Sequence, residues 1–470
     1  MRTALIALAA AALLAALPAP AQGSDEAQIA ALSLRVQRLE GARAVKKLQR
    51  AFGFYVDRGL WDDAADLFTD HGTIEIGVDG VYVGKARIRD YLKALHGGQD
   101  GLVYGQLNEW VTLQPLVDVA ADGRSARARW RDLGMLGQYH THAEWRDGIY
   151  ENEYVRENGV WRIQSLHLYI NFLAPVEKGW ARLKQDDKLV PSEASKALPP
   201  DRPPTVRYAS FPETQIPAFH GPNPVSGRQA QGSGDIRSKL AAYQQRVTLL
   251  EDQDAVENLQ ATFGYYFDKG LWNQAAALFA PRGSFEYGQR GVYIGPARIQ
   301  QALLLFGPQG LARGRLNNHM MLQPIIIVAP SGQTATGRFQ GMVMLAEPGQ
   351  NGKWGVGIYE NEYVKAGGVW KIARLHFYMT ALTDYDLGFA KNAIQMDGPS
   401  ALFPPDRPPT EVYRSFPSAY LPAFSYPHPV TGQPLRDLPM AGDDITGRPD
   451  RGMDSGKREE SSAARGMRQP

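Results

Sequence analysis

The chain has 470 residues, 51 basic and 49 acidic side chains and no cysteine. Its formal net charge of +2 gives no electrostatic basis for binding nucleic acid or an anionic membrane surface. The lack of cysteine excludes disulfides, thiol nucleophiles and iron–sulfur clusters, so hydrophobic cores must hold the fold, and the length allows two ordinary domains.

The first 21 residues have the pattern of a secretory signal peptide. Arg2 is followed by an apolar run at 4–17 and by small residues at 19–21, ahead of Gln22. The apolar run is shorter than a membrane span requires, so an uncleaved anchor is the less favoured alternative. We therefore expect a cleaved leader, a secreted or periplasmic protein, and no membrane span in the mature chain.

The rest of the sequence consists of two similar copies of one long segment. GFYVDRGLW at 53–61 returns as GYYFDKGLW at 264–272, GIYENEYV at 148–155 returns at 357–364, and PPDRPPT at 199–205 returns at 404–410. Repeats this similar, in the same order, indicate two copies of one domain. Both copies must meet the same structural needs, whereas a chemical group can be lost from one of them.

An amphipathic segment precedes each copy. Ile29, Leu32, Val36 and Leu39 follow helical spacing, and apolar residues at 236–250 do the same. Each run is short, so we expect helices that dock on the domains or pair with each other.

Within each copy the pattern predicts the same order of elements. A first helix ends before Gly59 or Gly270, and a second helix, a short hairpin, a third helix and three or four long strands follow. Turn residues separate the long strands at 121–123, 158–159, 330–332 and 367–368. Helices followed by antiparallel strands predict an α+β fold, a curved, mostly antiparallel sheet with about three helices on one face.

A proline-rich arm follows each sheet, at 179–232 and 387–436. The arm sequence is itself repeated, which a floppy linker would not require. We expect extended arms across the domains, which then span 24–178 and 233–386, each with its N-terminal helix. The charged tail at 437–470 is expected to be disordered. The arm side chains expected to insert into grooves are Phe211, Phe219, Phe416 and Phe424.

The combined motifs resemble one known family. A first helix ending in Tyr-x-Asp, then G-x-Y-x-G, Y-x-N-E-Y and G-V-W-K/R-I, is similar to the SnoaL-like branch of the nuclear transport factor 2-like superfamily, over about 44–174 and 255–383. This branch includes scytalone dehydratase, bile-acid dehydratases and a dehydrochlorinase. The resemblance implies a cone-shaped sheet around a deep, mostly apolar pocket. It also implies cofactor-free elimination or isomerisation, although other members only bind a ligand.

The resemblance places a catalytic site in the second copy. In the family's eliminating enzymes an aspartate at the end of the first helix orients a histidine base, and an arginine assists the leaving group. These roles map to Asp268, His319 and Arg374. The first copy keeps Asp57 but has Trp110 at the position of the base, so it is expected to be degenerate.

Other residues are expected to line the pockets. His167 and His376 occupy one strand position in both copies and are expected to point into the cone, as a second acid or base or as packed histidines. His140 and His142 share a strand face but lack a third ligand, so no metal is expected. The predicted substrate-binding residues are Tyr266, His376, Tyr55, Asp57, Trp110 and His167.

Three functions remain open. The first is a cofactor-independent, dehydratase-like lyase or isomerase that acts on a hydrophobic, ring-containing small molecule in the second domain. The second is an exported protein that binds such a molecule without catalysis, and the third is a structural or interaction module. Domains that resemble this family commonly pair sheet to sheet, so an internal pseudo-dimer or a homodimer is expected.

Overall fold

The computed structural model of the chain describes residues 25–184, 189–213, 217–218, 237–347, 349–350 and 352–436. The predicted leader, Phe219 and the predicted disordered tail lie outside these residues. Within the part of the chain that is described, no helix has both the length and the apolar character needed to cross a bilayer.

The first copy folds into three helices and a six-stranded sheet, followed by a short helix in its arm. Its elements are α1 (Asp25–Asp57), α2 (Trp61–Asp66), β1 (Phe68–Ile76), β2 (Val81–Val83), α3 (Lys85–Leu95), β3 (Gln106–Val119), β4 (Ser125–Gln138), β5 (His142–Glu157), β6 (Val160–Pro175) and α4 (Glu193–Ala197).

The second copy repeats the plan. Its elements are α5 (Arg237–Asp268), α6 (Trp272–Ala277), β7 (Phe279–Tyr287), β8 (Val292–Ile294), α7 (Pro296–Leu303), β9 (Leu316–Val328), β10 (Thr334–Ala346), β11 (Lys353–Ala366) and β12 (Val369–Asp384).

Both sheets have the same strand order. The orders are β2-β1-β6-β5-β4-β3 and β8-β7-β12-β11-β10-β9. All neighbours are antiparallel except β1 with β6 and β7 with β12, which are parallel. The predicted α+β class with mostly antiparallel sheets is therefore confirmed, with one parallel pairing in each sheet.

The first helix of each copy is longer than the sequence predicted. The segment at 29–39 and the helix at 44–57 form one continuous helix, although Gly41 lies between them. Glycine is a poor helix former, but a Cβ on Gly41 would lie 2.9 Å from the Trp161 ring. Gly41 therefore lets α1 pack closely on the sheet. The two long helices also meet, since Arg246 forms a paired ion bridge with Glu40 at 2.7 and 2.5 Å.

The two sheets pack against each other through their outer faces. Leu107, Val111 and Met135 of the first copy form one buried cluster with residues of the second, including Trp354. Trp145 stacks on Trp354 with a centroid distance of 4.7 Å. The chain thus contains an interface between its own two domains, while a homodimer remains a prediction.

Polar contacts also cross this interface. The Gln323 side-chain oxygen accepts hydrogen bonds from the Thr112 amide at 3.1 Å and from its hydroxyl at 2.8 Å. These bonds satisfy polar groups that the contact buries, and they fix the register of one sheet on the other.

Each repeated arm is hydrogen-bonded to its own domain. Asp201 accepts a hydrogen bond from the Val83 amide at 2.8 Å, and Asp406 does the same for the Ile294 amide at 2.8 Å. A threonine in each arm, Thr205 or Thr410, bonds through its amide and hydroxyl to a glutamate of the sheet. These contacts explain why PPDRPPT is repeated.

The second arm continues onto the first domain. Phe416 is buried in the interface cluster, and the Phe424 ring packs edge-on against Tyr55 at 5.5 Å. The imidazole Nε2 of His428 donates to the Asp63 carbonyl at 2.9 Å, since its Nδ1 accepts two backbone amides. In the first arm, Phe211 is half-buried.

A pair of buried carboxyl groups lies at the same interface. Glu109 is 5% exposed, and one of its oxygens accepts a hydrogen bond from the Gln340 amide group at 2.9 Å. Burial raises the pKa of Glu109 to about 8. Burial, followed by the nearby charge of Glu109, also raises the pKa of Asp57 well above its usual range. Glu109 is therefore expected to be protonated at neutral pH.

We predict that Trp354→Ala destabilises the protein by about 3–5 kcal/mol, because it removes a large buried ring from the interface. Trp354 is 4% exposed, whereas Trp180 is 53% exposed and provides the matched control. Trp180→Ala is expected to change the free energy of unfolding by less than about 0.5 kcal/mol. Urea unfolding of both variants measures this, and equal effects would contradict the interface.

We predict that Glu109→Gln removes a pH-dependent loss of stability. The folded pKa is raised above the unfolded value, so the contribution of Glu109 is fully present below about pH 4.3 and is lost as pH rises towards 8. Between these limits the wild type should lose up to about 1.4 kcal/mol per pH unit relative to the variant. Urea unfolding from pH 5 to 8 tests this, with the exposed Glu157→Gln as control, and parallel curves for wild type and Glu109→Gln would refute it.

Candidate functional site

An aspartate at the end of the first long helix joins that helix to the sheet in both copies. Asp57 Oδ1 accepts the Trp110 amide hydrogen at 2.6 Å, and Asp268 Oδ1 accepts the His319 amide hydrogen at 2.7 Å. The shared task of this aspartate is thus to hold the strand, which explains why the first copy keeps it without a histidine. The bond also offsets the unfavourable position of a carboxylate at a helix C-terminus.

An asparagine completes the junction in each copy. The Asn108 amide group donates to the last-turn carbonyl of Val56 at 2.9 Å, and Asn317 donates to that of Phe267 at 3.0 Å. Helix and strand therefore exchange hydrogen bonds in both directions.

The structure brings Asp268 and His319 together, as the sequence predicted. His319 Nδ1 lies 3.4 Å from Asp268 Oδ1, and the histidine is 5% exposed. Burial lowers the pKa of His319, while the hydrogen bond and charge of Asp268 act in the opposite direction. The two side chains are close, but the described hydrogen bonds give His319 Nδ1 no partner, and Asp268 Oδ1 accepts the backbone amide of His319 instead.

Aromatic rings pack the cone around His319. Phe267 meets the His319 ring edge-on at 4.4 Å. Phe306 contacts Phe267 at 4.9 Å and Tyr287 at 4.8 Å, and Phe377 contacts Tyr287 at 4.8 Å. Such edge-on and tilted ring contacts are those of a packed core. His319 therefore lies against aromatic side chains of the second domain.

Arg374 lies apart from this pair. Its neighbour Leu375 belongs to the core of the second domain, and successive residues of a strand point to opposite faces. Arg374 is accordingly on the outer face, where its Nε lies 3.1 Å from Glu362. The expected arginine at the leaving group is not at this site.

His167 and His376 also lie on the outer face, and the expectation that they point into the cone was wrong. Leu166 and Leu168 occupy the core face on either side of His167. His167 Nδ1 is 3.5 Å from Glu75, and His376 Nδ1 is 3.4 Å from Glu286.

These two histidines lie at the contacts that hold the arms to their domains. Glu75 and Glu286 are the glutamates that the arm threonines bind. Burial lowers the pKa of His167 to about 4 and, with Arg374 nearby, that of His376 to about 3. Both are thus neutral, packed histidines beneath the arms.

The two predicted pocket tyrosines differ. Tyr55 packs against Phe424 and stacks on His428 at 5.5 Å, so it contacts the second arm rather than a pocket. Tyr266 is half-buried against the core of the second domain.

A cavity of about 550 Å³ opens in the cone of the first domain. Trp110 lines this cavity, as do several polar groups, but apolar side chains form most of its wall. The apolar lining includes Ile76, Leu95, Leu107, Leu136, Ile170, Leu173 and Leu189, and the polar lining includes His96, Gln106, Asn108, Gln138, His142 and Arg146.

A buried ion pair borders this cavity. Arg146 Nε and Nη2 bind the Asp132 carboxylate at 2.7 and 3.1 Å, and the two side chains are 4% and 0% exposed. The Tyr150 hydroxyl donates to the same carboxylate at 3.2 Å, and the Arg146 guanidinium lies 3.8 Å from the Trp110 ring centre. Buried ion pairs add little net stability compared with apolar side chains, so a role beyond packing is favoured here.

His96 borders the same cavity. Its Nδ1 donates to the Leu92 carbonyl at 2.7 Å, which leaves Nε2 as an acceptor. The ring stacks on Trp61 at 5.0 Å and lies 5.4 Å from Trp110. Burial lowers the pKa of His96 to about 4, so the imidazole is neutral at pH 7.

The second copy lacks this polar group. Its residues at the positions of Asp132 and Arg146 are Gly341 and Gly355, as the strand pairing and the repeat place them. A Cβ on Gly341 would lie 2.6 Å from the Phe377 ring, so an aromatic core occupies the space that Asp132 uses in the first copy. Asp132 and Arg146 occur only in the first copy, and a comparison of the two copies would have revealed this ion pair. His96 is a single histidine after a helix, and nothing in the sequence marked it as part of a site.

The family model described as the SnoaL-like domain matches residues 37–167 and 248–376, more than half of the chain. A comparison with curated proteins found no match. Solved structures that resemble the chain each cover about one copy.

A putative scytalone dehydratase from Novosphingobium aromaticivorans is 22% identical, with 33% of this chain and 96% of that chain covered and a TM-score of 0.27. A protein of the same organism described as ntf2-like with a cystatin-like fold is 22% identical, with 31% and 90% covered and a TM-score of 0.25. A putative aromatic ring hydroxylase, also from that organism, is 21% identical, with 29% and 93% covered and a TM-score of 0.26.

The family match covers both copies, and each copy has the same helix order and six-stranded sheet. The chain belongs to the family of SnoaL-like domains, and it carries two of them in tandem.

Proposed function

We propose that this chain binds a hydrophobic, ring-containing small molecule in the cone of the first domain, and that the second domain supports the first. The observation that carries the proposal is the contrast between the two cones. The first contains a cavity of about 550 Å³ with a buried ion pair at its border, while aromatic rings pack around His319 in the second. This assigns the two domains the reverse of the roles expected from the sequence.

The cavity suits a small organic ligand. Its volume falls within the range of about 300–1,000 Å³ that is usual for such sites. Mostly apolar walls with a few polar groups would give affinity through burial and orientation through hydrogen bonds. Arg146 and His96 line the cavity and are the groups that would orient a ligand.

A second candidate function is cofactor-free elimination or isomerisation in the second domain. The 3.4 Å approach of His319 to Asp268 supports it, because a carboxylate can orient the imidazole as a base. This function requires Phe267 and Phe306 to move and admit a substrate.

We also propose that the protein is exported by a cleaved leader, on the basis of the sequence of its first 21 residues. The mass of the N-terminal peptide recovered from a periplasmic fraction tests this. A peptide that begins at Gln22 is the expected result, and an intact N-terminus would contradict it.

We predict that filling the first cone weakens ligand binding. The probe is N-phenyl-1-naphthylamine, an uncharged naphthalene compound with aromatic rings and one polar group, and the readout is its fluorescence on titration. Leu136→Trp places an indole ring in the cavity and should weaken binding at least about tenfold, a loss of about 1.4 kcal/mol.

The matched control is Leu345→Trp at the corresponding strand position of the second copy, which should leave binding of the probe unchanged. Loss of binding in Leu345→Trp alone would place the site in the second domain.

We predict that Asp268→Asn lowers the pKa of His319 further. The Asp268 carboxylate opposes the lowering by burial, so its neutralisation leaves burial unopposed, while the asparagine oxygen can still accept the His319 amide. Titration of the imidazole signals by NMR measures the change, and Asp397→Asn, an exposed carboxylate, is the control. An unchanged pKa would remove the base from the second candidate function.

A further inference from the structure

We propose that the groove between the two long helices binds a long-chain carboxylate. Its head group accepts a hydrogen bond from Lys46, and its alkyl chain lies on an apolar floor that β9 provides. The groove has a volume of about 710 Å³ and is lined by residues of α1, α5 and β9. Residues of both domains form this site, so it is separate from the cone of the first domain.

Two ion pairs hold α1 and α5 together along the groove. Arg43 lies 2.5 Å from Asp254, and Arg246 binds Glu40 at 2.7 and 2.5 Å. Each pair joins a residue of α1 to a residue of α5, so the two walls of the groove are held together without a ligand. The pairs also neutralise the charges that form them.

Cations exceed carboxylates among the other residues of the groove. Lys46, Lys47 and Arg50 line it from α1, whereas α5 adds the carboxylate of Glu257. Lys47 lies over the Tyr426 ring at 5.8 Å from its centre. The ammonium group of Lys46 forms no ion pair or hydrogen bond within the described part of the chain. The groove therefore has an excess of positive charge, and Lys46 is its available donor.

These cations are poorly solvated. Arg50 donates through Nη1 to the Pro324 carbonyl at 2.6 Å, but its buried Nε has no acceptor among the described contacts. Burial lowers the pKa of Arg50 to about 10 and also lowers that of Lys46. A bound anion would stabilise both charged groups. A monoanion is favoured over a dianion such as phosphate, because Glu257 lies at the same groove and repels further negative charge.

The two copies of the helix differ at the cationic positions. The first copy reads AVKKLQR at 44–50 and the second reads AVENLQA at 255–261. Glu257, Asn258 and Ala261 therefore stand where the first copy has its three cations. A structural need of the common fold would be met in both copies, so the cations serve a purpose outside that fold.

The floor of the groove differs between the copies in the opposite sense. The β9 segment at 324–327 reads PIII, whereas the first copy reads PLVD at 115–118. Ile327 thus stands where the first copy has a carboxylate, Asp118. Leu39, which is 57% exposed, extends the apolar surface to the rim of the groove. A cationic wall beside an apolar floor suits an anionic amphiphile, since the head group gains a charged partner and the chain gains from burial.

Isothermal titration calorimetry with three matched ligands tests the site. The ligands are decanoate, 1-decanol, which lacks the charge, and butanoate, which lacks most of the chain, each below its micelle-forming concentration. Decanoate should bind at least about tenfold more tightly than either of the others, because only decanoate gains both a charged hydrogen bond and buried methylene groups.

Variants assign the binding to the groove. Lys46→Gln should weaken decanoate about tenfold and leave 1-decanol unchanged, while Lys46→Arg should retain decanoate binding because it keeps the charge. Leu39→Gln should weaken decanoate about threefold, because it removes apolar surface at the rim. Arg35→Gln changes an exposed cation of the same helix and is the matched control. Leu136→Trp, which fills the first cone, should also leave decanoate binding unchanged.

Three results would overturn the inference. The first is equal affinity for decanoate and 1-decanol, which would exclude an anion site. The second is decanoate binding that Leu136→Trp abolishes and Lys46→Gln leaves unchanged, which would place the chain in the cone. The third is no binding of decanoate, whether or not the protein binds phosphatidylglycerol vesicles. Titration with N-phenyl-1-naphthylamine tests the proposed function separately, because that function does not depend on the groove.

Discussion

The hydrogen bond between the aspartate that ends the first long helix and a strand amide is the constraint on which each domain depends. It appears at 2.6 Å in the first copy and 2.7 Å in the second, and an asparagine returns a bond from the strand to the helix. Gly53 allows the close approach, because a Cβ there would lie 2.6 Å from the Trp110 carbonyl oxygen. The helix is thereby held against β3 or β9 in both copies, although different side chains fill the two interiors.

That common frame has permitted two different interiors. In the first copy Gly134 leaves room for Arg146, since a Cβ on this glycine would lie 3.0 Å from the arginine side chain. In the second copy Val343 stands opposite Gly355, and large aromatic rings occupy the interior. The outer face of each sheet binds its own arm through a glutamate. The two outer faces also form the contact between the domains. The same backbone fold thus encloses a polar site in the first copy and a packed aromatic core in the second.

Much of the fold could be predicted because the repeats mark what is structural. Helix order, hairpins and turns followed from motifs shared by the copies, whereas the approach of Asp268 to His319 was expected from the family resemblance. The inward or outward direction of single strand residues did not follow. The pairing between β5 and β6 shifts at Glu153, so the alternation that places Trp161 and Ile163 in the core does not continue to His167. The ion pair of the first cone depends on a cross-strand contact between β4 and β5, which a linear pattern does not reveal.

The central claim, that the first cone holds the ligand, is tested most directly by the tryptophan indole signals in a proton–nitrogen NMR spectrum. Trp61 lies beside the cavity through its contact with His96, and its copy Trp272 provides an internal control in the second domain. Addition of a binding naphthalene compound should shift the Trp61 and Trp110 signals and leave the Trp272 signal in place. A shift of Trp272 with Trp61 and Trp110 unmoved would contradict the account.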